Sequence, residues 1–117
     1  MPFFISKVNC HPYPCDIWYT NSERMFNAKR TEITGDKNHI SNFLGCVSCS
    51  ESRMQMVIGV FDGGLPTLVH EVSHAVINVF YATGMSASVE TTEAFAYLHE
   101  SLFDQCHKLH IRWGNDA

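Results

Sequence analysis

Apolar positions recur with two different periods along this chain, and the change of period divides it in half. From Met54 to Phe61 they alternate as on a strand, with Met54, Met56, Ile58 and Val60 on one face and Gln55, Val57, Gly59 and Phe61 on the other. Asp62-Gly63-Gly64 ends that strand. Asp16-Ile17-Trp18-Tyr19-Thr20 has the aromatic and β-branched content of another strand. Phe26 to Thr34 forms an element whose type the pattern leaves open, and Thr34 to Asn38 reads as a turn or loop.

Beyond Gly64 the period becomes helical. Leu68, Val69, Val72, Ala75, Val76, Val79 and Phe80 fall on one stripe. Pro66 suits a first turn, where its missing N–H costs nothing, and Gly84 supplies a stop. A second helix starts near Thr91 or Thr92, either of which can cap it. Its apolar stripe is Phe95, Leu98, Leu102, Cys106 and Leu109, while Glu93, Tyr97, Glu100 and Asp104 share another. Strands followed by two helices on a short connection predict an α+β fold in one domain, residues 1–117.

With 45% apolar and 17% charged residues, the chain has the composition of a folded domain. A formal charge of −4 without a basic run argues against a nucleic-acid or anionic-membrane partner. No apolar run is long enough to span a membrane and no signal-peptide pattern opens the chain, so a cytoplasmic protein is expected. Five cysteines cannot form a closed disulfide framework. Cys46-Val-Ser-Cys49, with Cys10 and Cys15, is a weakly specified alternative for a structural zinc site.

The chemistry concentrates in His70-Glu71-Val72-Ser73-His74, an H-E-x-x-H pattern on the first of the two helices. Residues four apart lie one above the other on a helix, so both imidazoles can reach one cation. Glu71 is rotated from His70 by about 100°, beside the metal without binding it. That is where a general base can take a proton from metal-bound water. A catalytic zinc needs a third protein ligand. The H-E-x-x-H-x-x-G-x-x-H class would need Gly and His where this chain has Ile77 and Phe80. The remaining candidates are Glu90, Glu93, His99, Glu100, His107, His110 and His39. Eighteen residues separate His74 from Glu93, enough for the first helix to end and the second to return, which favours Glu93.

Thr67-Leu68-Val69-His70-Glu71-Val72-Ser73-His74-Ala75-Val76, followed by Glu93-Ala94-Phe95-Ala96-Tyr97, resembles the gluzincin metallopeptidases, and within them small phage and prophage zincin-like proteins. The resemblance implies a zincin-like domain with Zn2+ on His70, His74 and Glu93, and Glu71 as general base. It also implies hydrolysis of a peptide or protein substrate in the cytoplasm, that of a bacterial host if the chain is phage-encoded. An edge strand would hold extended peptide, and Met54–Phe61 would be that strand. Thermolysin-like members carry a carboxylate four residues past the glutamate ligand; here that position is Tyr97. One turn after Glu93, the Tyr97 hydroxyl is the expected stabiliser of the developing oxyanion, with His39 and His99 behind it. The alternative function is a zinc scaffold, weak or inactive in catalysis, that binds a host partner.

Overall fold

A computed structural model describes residues 4–116. The elements in chain order are β1 (Ile5–Val8), β2 (Asp16–Thr20), α1 (Glu23–Thr34), β3 (Gly45–Cys49), β4 (Gln55–Val60), α2 (Leu65–Ala82), a single 3-10 turn (Val89–Thr91) and α3 (Thr92–Asp116). The fold is α+β, as expected. Two expected strands fall where the alternation put them, as β2 and β4. The open element is a helix, α1. The Ser22 side chain caps it by accepting the Met25 N–H at 3.2 Å, and the Gly35 N–H closes it on the Thr31 carbonyl at 2.9 Å.

The four strands form one mixed sheet in the order β1-β2-β4-β3. β2 and β4 are parallel, joined by a crossover that contains α1, whereas β1 pairs with β2 and β3 with β4 antiparallel. This corrects the expectation for Met54–Phe61. The strand in that segment, β4, is hydrogen-bonded on both sides and is no edge. Its near-continuous burial, Met56 to Val60, is the signature of an interior strand covered on both faces. The edge next to α2 is β3, whose small and polar residues, Gly45-Cys-Val-Ser-Cys49, hide it from a hydrophobicity pattern.

Alternation along β4 sends Met56, Ile58 and Val60 into the main core with Leu68, Val72, Ala75, Val76 and Val79 of α2 and Leu98, Leu102 and Cys106 of α3. Phe26 of α1 meets Phe61 edge-on on the opposite side of the sheet. A stack of Phe4, Trp113 and Tyr19, with ring centroids 5.4 and 5.5 Å apart, ties the end of α3 to the sheet. Gly84 adopts φ 74°, which lets the Met85 N–H reach back to the Phe80 carbonyl at 2.8 Å and end α2. The cap ahead of the second helix is centred on Ser88, with the expected Thr91 as its partner. Ser88 and Thr91 cap each other reciprocally across the 3-10 turn that runs into α3. Among the described residues no helix is long and apolar enough to cross a membrane.

Candidate metal centre

α2 begins where Asp62 gathers its first turn. One carboxylate oxygen accepts the Gly64 N–H at 2.9 Å and the other the Thr67 hydroxyl at 2.7 Å, and these bonds hold the Asp62 carboxyl below its ordinary range. The helix then buries Leu68, Val72, Ala75 and Val79, which turns His70 and His74 outward to solvent. Their Nε2 atoms are 3.2 Å apart and the rings stand at 74° to each other. Two nitrogens on a tetrahedral zinc, at about 2.0–2.1 Å each, lie about 3.3–3.4 Å apart. The pair therefore fits one tetrahedral edge with little adjustment.

Glu71 occupies the boundary between this exposed pair and the core, with 6% of its surface accessible. Burial raises its carboxyl pKa above the ordinary value, and the charges of His70 and His74 pull it partly back. The start of β3 presses against it. A Cβ on Gly45 would come within 2.7 Å of Thr67 Cγ2, 2.8 Å of the Gly59 carbonyl oxygen and 3.0 Å of Glu71 Cγ. Only glycine lets the edge strand approach the helix this closely. Two open depressions meet over that contact. One, of about 320 Å³, runs past Leu44, Pro66 and Thr67; the other, of about 290 Å³, runs past Phe43, Val47, His74 and Asn78. Gly45, His70 and Glu71 line both.

The other predicted site residues lie elsewhere. Ser73, which precedes His74 by about 100° around the helix, faces α3 and meets His99 Nε2 at 3.0 Å. Because the Ser73 hydroxyl already donates to the Val69 carbonyl at 2.9 Å, its oxygen accepts from His99. His99 is thus engaged on the closed flank of α2. Glu93 sits exposed at the start of α3, and Tyr97, 67% exposed, lines a separate depression with Glu100, Ser101, Phe103 and Asp104. Neither joins the histidine pair, because α3 packs along the Ser73 and Phe80 side of α2 rather than over His70 and His74. His39 is exposed in the loop before β3. Among the described residues no three His, Cys, Asp or Glu side chains converge as a metal site. The structure brings together His70, His74 and Glu71, while Glu93 and Tyr97, the expected third ligand and oxyanion stabiliser, lie at exposed positions on α3.

The four-cysteine alternative fails for a geometric reason. Cys46 and Cys49 are three apart on a strand, so they point to opposite faces of the sheet. Cys49 packs toward the α2 core. Cys10 and Cys15 are buried thiols, with Cys10 Sγ donating to the Cys15 carbonyl at 2.9 Å. Burial, the largest cause, pushes the Cys15 thiol up to about 11 and that of Cys106 to about 12.

Sequence reasoning missed Gly45, Phe43, Leu44 and Asn78, which line the two depressions. Asn78 was within reach, since it continues the i, i+4 row of His70 and His74. Comparison with known proteins finds no family model that matches the chain, no similar curated protein and no similar solved structure.

Proposed function

We propose that the protein is a zinc-dependent hydrolase of peptide bonds, with His70 and His74 as metal ligands and Glu71 as general base. The observation that carries this reading is the 3.2 Å approach of the two Nε2 atoms directly beside a buried carboxyl that opens on the same cleft. Zinc, when bound, supplies Lewis acidity that polarises a carbonyl and makes a water acidic enough to act near neutral pH. The chain's own residues do the rest. Glu71 accepts the water's proton and later returns it to the leaving nitrogen, and its burial, by raising its pKa, favours the first of these transfers. Among the described residues β3 has no neighbouring strand on its outer side, so its main-chain amides can hydrogen-bond an extended substrate beside the histidines. Gly45 keeps that strand within reach of Glu71.

The test is hydrolysis of casein or a peptide library by protein of known metal content, abolished by a chelator and restored by zinc. One observation favours a second reading, a zinc scaffold that binds a partner without cleaving it: among the described residues no third His, Cys, Asp or Glu joins His70 and His74, where catalytic zinc ordinarily has three ligands. Zinc binding without chelator-sensitive hydrolysis supports that reading and ends the first.

A further inference from the structure

Just beyond the cleft, hydrogen-bonded to the residue one turn past His74, is an arginine that the reaction does not use. Asn78 lines the cleft together with His70, Glu71 and His74. Its Oδ1 accepts the Nε–H of Arg53 at 3.1 Å, and its own amide donates to the His74 carbonyl at 3.0 Å. The Arg53 guanidinium lies 4.1 Å from the centre of the Tyr81 ring. The side chain is therefore held on one edge by Asn78 and on one face by Tyr81, while its Nη edge carries no carboxylate. Every ion pair among the described residues belongs to another cation: Lys7, Lys29, Arg30 or Lys108. Arg30 makes the contrast clear, since its guanidinium is taken up by Asp36 Oδ2 at 2.8 Å and the Asn38 carbonyl at 2.6 Å.

The backbone gives no reason for an arginine here. Arg53 closes the β3–β4 connection at φ 62°, a left-handed conformation that glycine or asparagine adopts at lower cost. A planar fork of donors, oriented in advance and lacking an acidic partner, is suited to bidentate capture of a carboxylate.

We infer that Arg53, oriented by Asn78 and Tyr81, binds a carboxylate of the substrate and so selects peptides that carry one at the His74 end of the cleft. This rests on the peptide-hydrolase reading above. One helical turn, about 5.4 Å, separates His74 from Asn78, and the guanidinium lies a hydrogen bond further on. The carboxylate is therefore about three residues from the bond attacked, at about 3.3 Å per extended residue. It can be a chain terminus or an Asp or Glu side chain. Arg53 is a specificity residue and touches no reacting atom.

The experiment measures binding apart from turnover. Zinc-loaded Glu71→Gln protein, with and without Arg53→Gln, is titrated with acetylated hexapeptides of Ala and Leu, followed by amide chemical shifts. The peptides are supplied as free acid, as C-terminal amide, and as amides with Glu or Gln at each position in turn. The expected result is about tenfold tighter binding of one carboxylate form, lost in Arg53→Gln, whose thermal unfolding is checked against the parent. Preference for the free acid identifies the terminus as the source; preference for Glu at one position identifies a side chain. Equal binding of charged and neutral peptides, a preference that survives Arg53→Gln, or no binding of any peptide overturns the inference. Failure of the underlying reading is separate: zinc-loaded protein with Glu71 intact would cleave none of the peptides, whatever their charge.

Discussion

The two flanks of α2 differ more than their shared helix suggests. One flank is closed: Ser73 holds His99, Phe80 meets Phe95 edge-on, and α3 covers the surface between. The other is open: Thr67, Glu71 and Asn78 face β3 across a cleft, with His70 and His74 along its rim. Satisfied polar groups and packed rings occupy the first; a buried acid and solvent-facing imidazoles occupy the second. Chemistry needs the second, because a reacting group must be both perturbed and reachable. Glu93, the expected ligand from α3, starts the helix that packs along the closed flank.

The sharpest way to break this contrast is metal analysis. His70→Ala and His74→Ala should each reduce bound zinc from about one per chain toward none, read by elemental analysis of dialysed protein, whereas Glu93→Ala should leave it unchanged. Zinc lost from Glu93→Ala would mean that α3 turns toward the open flank. Next in size is Glu71→Gln, expected to keep zinc but slow peptide hydrolysis by about 10²–10⁴-fold; unchanged turnover removes Glu71 from its role. Gly45→Val tests the seam between strand and helix. The new Cβ would meet a backbone oxygen at 2.8 Å, and overpacking of this kind costs about 1–3 kcal/mol in denaturant unfolding. Smallest is Ser73→Ala on the closed flank, which removes the acceptor for His99 at about 1 kcal/mol while zinc content stays constant. A change in metal binding there would show that the flanks are coupled.

Much of this was legible beforehand, and the exceptions share a cause. The α2 stripe, the β2 and β4 segments and the Gly84 stop follow from local periodicity and turn chemistry, and His70, Glu71 and His74 from spacing on a helix. What the pattern could not carry was order across the sheet. Nothing within Gln55–Val60 states whether it has one neighbour or two, and continuous burial marks an interior strand only once both faces are known to be covered. β3 was invisible because two cysteines, a serine and a glycine make up most of it. The place of Glu93 was hidden for a related reason. Eighteen residues can return a helix to either flank of its predecessor, and the choice is made by Phe95 and His99 packing on Phe80 and Ser73.

The side of β3 that meets no other strand among the described residues carries a liability of its own. A row of vacant amides flanked by exposed Phe43 and Leu44 is a template on which a second molecule can stack its own margin, the route to aggregation that sheet proteins usually block with charge or proline. Concentrated protein should therefore self-associate through this strip, with light scattering falling when the exposed Leu44 is replaced by lysine.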